Sequence, residues 1–190
     1  MLAAGGEQAV RIRDIARRAG VAEPSIYHFF GDRNGLIEAA QEVRYGRDQT
    51  DLFDVFDAAV SVCSSQEAFV EVVRRTLVAV FDPARAPKRM TRVSALGASE
   101  RRSALRARLA EQQREANRRL GATLAVAQRR GFVAADRDPH ALAAWIVGMV
   151  TGRVLIELGD PGFDPVGWDR VATTATLGAL GVDVGHLNNE

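Results

Sequence analysis

The stretch from Arg11 to Ile37, RIRDIARRAGVAEPSIYHFFGDRNGLI, constrains the fold more than any other part of the chain. Ile12, Ile15, Ala16 and Ala19 recur at three- and four-residue intervals, which predicts a helix over 12–19 with one buried face. Gly20 follows the last periodic residue, where a left-handed backbone ends a helix without a Cβ penalty. Val21 can plug the corner. Pro24 then falls near the first turn of a second helix, where its missing N–H is no loss. Ile26 and Phe30, four apart, are expected to face the bundle, and Asp32 to cap a further helix running to about Arg47. Helix, glycine turn, helix is the helix-turn-helix arrangement, whose second helix can lie in the major groove of DNA.

The rest of the chain also reads as helix, because no sustained period-two alternation occurs and Gly, Pro and Asp punctuate it at helical lengths. Helices are expected from about Asp51 to Val62 and, after a Cys-Ser-Ser break, from Gln66 to Phe81. A shorter one from Ala86 to Gly97 precedes a long one from Ser99 to Arg130. Gly131 stops the long helix, and Asp138 and Pro139 start the next as cap and first helical residue. From Leu142 to Leu158 that helix is apolar on nearly every side, so it must be buried all round, in a core or an interface. Gly148 and Gly152, four apart, permit close approach of a neighbour. The last helix, Pro165 to Leu180, is rich in Ala, Thr and Gly. The fold class is therefore all-α.

Composition narrows the function. The chain of 190 residues, 47% hydrophobic and 26% charged, can bury a real core and is not disordered. No continuous apolar run reaches the roughly 18 residues of a membrane span, and no signal peptide is visible. The single cysteine, Cys63, excludes an intramolecular disulfide framework and agrees with a cytoplasmic location. Residues 1–50 carry seven Arg against seven Asp plus Glu, so this end is not basic overall. Residues 85–130 carry thirteen Arg plus Lys against three Glu. That run reads first as a solvated face, with an anionic ligand or added attraction to DNA as alternatives. His28, His140 and His186 lie far apart, with no metal-ligand spacing, no phosphate-binding glycine loop and no nucleophile elbow. No catalytic residues, metal site or cofactor are expected, and an enzyme is disfavoured.

The residues Ile-Arg-Asp-Ile-Ala, then Ala-Gly-Val, then Ile-Tyr-His-Phe-Phe-Gly-Asp-Arg, then Leu-Ile resemble the DNA-binding signature of TetR-type transcriptional regulators. The tightest element is Ile26-Tyr27-x-x-Phe30-x-Asp32-Arg33. The resemblance implies a homodimer that represses transcription from a palindromic operator and is released by a small-molecule effector. It implies a DNA-binding domain over 1–46, with an effector-binding and dimerisation domain over 47–190. In this reading Pro24 to Phe30 is the recognition helix. Ser25 and Tyr27 match positions that bond backbone phosphates, which fix register without reading sequence. His28 and Phe29 would point toward the groove, where Phe29 could touch a thymine methyl. Arg13 matches a position from which some relatives contact bases, and Arg33 a phosphate-contacting position at the start of the next helix. Arg17 and Arg18 read as solvated.

Two departures from the family pattern stand out. Relatives have a full helix before the motif, whereas Leu2-Ala3-Ala4-Gly5-Gly6 looks like only its tail. The first helix thus reads as truncated, with a natural start expected upstream, and Ile15, Ile26 and Phe30 would be left partly uncovered. Arg11 also stands where a Ser or Thr cap is usual, and Gly35 is a weak spot within a helix. The alternative function is a ligand-binding or protein-interaction dimer of the same fold that has lost DNA binding. Relatives enclose an effector among the middle helices, so an apolar pocket with few polar anchors is expected. Candidate lining residues are Phe69, Met90, Arg92, Asn117, Trp145, Met149 and Arg153. A charge such as Arg153 on an apolar helix needs a partner, and Glu157, one turn on, can supply it. The last two helices resemble the family's dimerisation elements.

Overall fold

Each predicted stop and start signal can be compared with the computed structural model, which describes residues 6–159 and 162–182 and only the backbone course of 47–50. Eight helices are present among them: α1 (Ile12–Ala19), α2 (Glu23–Phe30), α3 (Arg33–Val62), α4 (Gln66–Phe81), α5 (Ala86–Ser99), α6 (Ser103–Arg129), α7 (Pro139–Gly159) and α8 (Pro165–Ala179). No strand occurs among the described residues. Gly20 ends α1 in the left-handed region at φ 68°, as its position predicted. Asp32, Ser65 and Asp164 cap α3, α4 and α8 by accepting backbone N–H groups of their first turns. Asp138 likewise accepts from the amides of His140 and Ala141, with Pro139 as the first helical residue. Arg11 offers α1 no side-chain cap.

Three expectations need correction. The helix expected to end near Arg47 and the one expected from Asp51 are a single helix of 30 residues, about 45 Å long at 1.5 Å per residue. No proline interrupts it, and the cost of Gly46, about 1 kcal/mol, does not break a helix held by packing on both sides. Gly46 instead lets α3 approach α6: a Cβ there would lie 3.1 Å from Gln112 Oε1. The expected division between residues 46 and 47 thus falls inside one continuous helix. Gly97 does not end α5, which continues to Ser99, so α6 starts only at Ser103. Finally, the apolar helix α7 is not buried all round. Leu142, Ala143, Arg153 and Val154 are buried, but Trp145 is 43%, Leu155 65% and Leu158 61% exposed.

Burial divides into three clusters. Ile12, Ala16 and Ile26, with Ile15 and Leu36 against them, hold the head together. Tyr45, Ala95, Leu105 and Leu109 form a small core where α3 leaves the head and crosses α5 and α6. The main core lies among α3, α4, α6, α7 and α8, with Phe69 stacked on Phe132 and Cys63 buried as a small hydrophobe. By length and mean hydropathy, 1.7, α7 could cross a membrane. Arg153 and Glu157 interrupt its apolar run, and Arg153 is ion-paired inside the domain.

Candidate nucleic-acid interface and effector cavity

The head is built so that α2 keeps one residue inside and turns an aromatic surface outward. Ile26 is 4% exposed, whereas Tyr27, His28 and Phe29 are all exposed, Phe29 at 78%. The His28 and Phe29 rings meet edge to face with centroids 5.4 Å apart. Such exposed aromatic surface on a short helix is costly to leave in water and suits a groove. Phe30 does not face the bundle as expected; it is partly exposed, and Leu36 of α3 packs against the head core in its stead. Ser25 is half-buried, and Pro24 lies in the first turn of α2. Arg13 and Arg18 are exposed on α1, and Arg17 is exposed in a local pair with Asp14.

Gly35 is no weak spot. A Cβ there would sit 2.0 Å from the Phe30 carbonyl oxygen, so only glycine lets the α2–α3 corner close, while Asp32 accepts its N–H at 2.8 Å.

Arg33 stands apart from the other expected contacts. Its Nε donates to the Val10 carbonyl at 2.9 Å and its Nη2 to the Glu7 carbonyl, so its fork holds the turn at residues 7–9 against the start of α3. Glu7 is gripped a second time by Arg102, at 2.7 Å to each carboxylate oxygen. That hydrogen bond holds the Glu7 carboxyl below its ordinary value of 4.5 and pushes Arg102 higher. Val10 is buried beneath this clamp. Of the expected tail of a first helix, Leu2 to Gly5 lie outside the described residues.

Three arginines of the basic run over 85–130 form a ladder between α3 and α6. Arg108 Nη2 donates to Glu38 at 2.8 Å, and its Nε lies 2.8 Å from Glu42 in an ion-pair contact without hydrogen-bond alignment. Tyr45 donates to Gln113 at 2.8 Å. Arg119 reaches Asp54 and Asp57, both at 2.6 Å. Arg130 caps the far end of α3 by donating to the carbonyls of Val60, Ser61 and Cys63. The expected solvated face describes the exposed Lys88, Arg101, Arg106, Arg114, Arg118 and Arg129, of which Arg114 and Arg118 pair with glutamates of their own helix. None of the cross-helix partners follows from local spacing, because each pair is separated by 60 residues or more in the chain.

Among α3 to α8 lies a cavity of about 140 Å³. Phe53 and Phe56 of α3, Val73 and Leu77 of α4, Leu124 of α6 and Val150 of α7 supply part of its wall. Arg89 and Arg92 supply its cationic side chains. Arg89 is buried against Glu157 at 2.7 Å and also donates to the carbonyls of Val80 and Asp82. Glu157 is shared with Arg153, which also pairs with Asp169 and stacks over Phe81 and Trp168. Burial pushes the Asp169 carboxyl up despite the pull of Arg153.

Residues 1–40 match the family model described as bacterial regulatory proteins, tetR family. That match covers the reading head, α1, α2 and the start of α3. The whole fold agrees, though at identities that speak only for the fold. A Rhodococcus sp. protein assigned to the TetR family superposes with a TM-score of 0.68 at 20% identity, covering 94% of this chain and 92% of that one. GusR of Salmonella enterica gives 0.69 at 19%, covering 95% and 89%. The regulator FadR of Bacillus subtilis, solved in complex with stearoyl-CoA, gives 0.62 at 16%, covering 94% and 92%. No curated protein sequence matches the chain.

Within the body the seven expected effector residues separate. Arg92 alone lines the cavity. Phe69 is sealed in the core, and Arg153 is committed to its two carboxylates, Glu157 being the expected partner and Asp169 a second one. Met149 packs against the core. Asn117 accepts from Gln113 at 2.9 Å, outside the cavity wall. Trp145 lies on the exposed face of α7, and Met90, on α5, does not line the cavity. The unanticipated lining residues are mostly aliphatics spread over several helices, whose residue type gives no hint whether they face a core or a void.

Proposed function

We propose that this chain is a TetR-type, sequence-specific DNA-binding regulator, acting as a cytoplasmic homodimer whose grip on a palindromic operator is released by a small molecule. The observation that carries this reading is α3. Its first turns anchor the reading head, and its later turns wall the cavity, so one continuous helix joins the two functions. In this reading 1–46 is the DNA-binding domain and 47–190 the effector and dimerisation domain, with α3 crossing the boundary. Arg13, His28 and Phe29 face base edges, and Pro24, Ser25 and Tyr27 set the entry and phosphate register of α2. Arg33 acts mainly by holding the turn at residues 7–9. That effector-bound relatives of this fold include FadR with stearoyl-CoA and a Saccharomonospora viridis protein with choline supports a ligand in the body.

The dimer is supported by the exposed apolar stripe along α7 and α8. Trp145, Gly148, Leu155 and Ile156 share one face of α7, and Val171, Ala175 and Gly178 one face of α8, all exposed. Nothing approaches within 4 Å of a Cβ built at Gly148, Gly152 or Gly178, so close packing within the chain does not explain them. Titration of the purified protein against genomic fragments at two salt concentrations tests the reading. Operator binding should be tight and fall steeply with salt. Tyr27→Phe should weaken all sequences alike, and Arg13→Ala should relax discrimination at particular positions, by about 1–3 kcal/mol. Weak binding indifferent to sequence would instead favour a dimer of this fold that has lost DNA binding.

A further inference from the structure

Resting on the reading of the cavity as the effector site, we infer that it selects a neutral, compact hydrocarbon of about six to eight carbons and refuses charged molecules of the same size. The size comes first. At about 140 Å³ the cavity is close to an apolar one that stays dry and holds benzene, so a single ring with a short substituent fills it.

The wall chemistry decides the charge. Among the described residues no carboxylate lines the cavity, so a cation would lose its water and meet only the two arginines. An anion fares little better, because both arginines are committed. Arg89 donates through Nη1 to the carbonyls of Val80 and Asp82, and through Nη2 to Glu157 at 2.7 Å. Arg92 donates through Nη2 to Gln113 Oε1 at 3.0 Å and Tyr45 Oη at 3.3 Å, and its guanidinium lies over the Tyr45 ring. Tyr45 and Gln113 do not line the cavity, so the charged end of Arg92 is held by groups beyond the wall. An anion would have to break these bonds to gain its own.

The hydroxyls are engaged too. Thr76, Thr151 and Thr176 each donate to the carbonyl one turn back on their own helix. Their lone pairs can still accept, so one ligand hydroxyl is tolerated at a loss, whereas a ligand carbonyl finds no ready donor. The rest of the wall is apolar, with Leu52, Phe53 and Phe56 supplied by α3. A ring lodged against them touches the helix that carries the reading head.

Four probes of nearly one shape separate these effects: ethylbenzene, benzyl alcohol, benzylammonium and benzoate, titrated into the full chain by calorimetry near neutral pH. Ethylbenzene should bind, benzyl alcohol at least roughly tenfold more weakly, and neither ion at millimolar concentration. Ethylbenzene should also shift the methyl resonances of Leu77, Leu124 and Val150. Val147→Phe and Val150→Phe, each checked for native circular dichroism, should weaken ethylbenzene by filling its space. Benzyl alcohol or either ion binding as tightly as ethylbenzene would overturn the inference. So would no ethylbenzene binding up to its solubility, or binding that leaves those methyl resonances unmoved. Operator binding is scored separately. A chain that binds operator but not ethylbenzene overturns this inference alone; one that binds ethylbenzene but no operator overturns the regulator reading alone. Ethylbenzene bound at those methyls without loosening the operator would overturn the cavity's role as effector site and leave its selectivity standing.

Discussion

Arg33 carries the sharpest prediction, because its resemblance to a phosphate-contacting position and its geometry assign it different work. It is half-buried, and its fork donates to the carbonyls of Val10 and Glu7 rather than pointing outward. Hydrogen bonds from a charged donor contribute about 1.5–3 kcal/mol each when buried. Discounted for partial exposure, the two together hold the turn by about 2 kcal/mol. Arg33→Ala should therefore speed amide exchange at Val10 and Ile12 roughly 30-fold through easier local opening, since 1.4 kcal/mol is a factor of ten. Arg33→Lys should not rescue it, because a point charge cannot span two carbonyls as the planar fork does. Operator affinity should fall in both variants, while the slope of log affinity against log salt stays unchanged. A lost phosphate contact would instead reduce that slope by about 0.9 per head. Full affinity in Arg33→Lys, with a reduced slope and unaltered exchange in Arg33→Ala, would refute the lock.

Leu155→Glu, in the middle of the exposed α7 stripe, should convert a dimer to a folded monomer by light scattering; a dimer that survives the change would place the interface elsewhere. Arg153→Ala removes the ion pair of Asp169 and leaves Glu157 to Arg89, and should cost about 3–5 kcal/mol in urea unfolding. Asp169→Asn should cost clearly less, because burial already favours its protonated form, and equal losses would contradict that. Glu7 titrates below its ordinary 4.5 in the folded chain, so its clamp stabilises above that pH and is lost as pH falls through the lower, folded value. The difference in melting temperature between wild type and Glu7→Gln should accordingly shrink from about pH 6 to about pH 3.5; a constant gap would show that the carboxylate charge is not what Arg102 reads.

What the sequence determined by itself was local. Gly20 at a left-handed position, Asp32 and Asp138 as caps, and the three- and four-residue spacing of Ile12, Ile15 and Ala16 act within one turn of chain, so these helix ends and the helices of the reading head were legible from residue order. Tertiary structure decided the rest, because the deciding partners are distant in sequence. Arg33 became a clamp on account of two carbonyls more than 20 residues before it. Arg108 and Arg119 of the basic run became rungs of a ladder because α3 brings Glu38, Glu42, Asp54 and Asp57 beside them. A joint between helices expected over 32–47 and 51–62 vanished because packing outweighs the propensity of a single Gly46. Only the meeting of six helices could show that Arg92 borders a void, while Phe69 and Arg153, equally plausible as residue types, close into core and ion pair. Side-chain chemistry is written in the sequence, but whether a given valine or arginine meets a neighbour, water or an empty space depends on contacts that residue order alone does not specify.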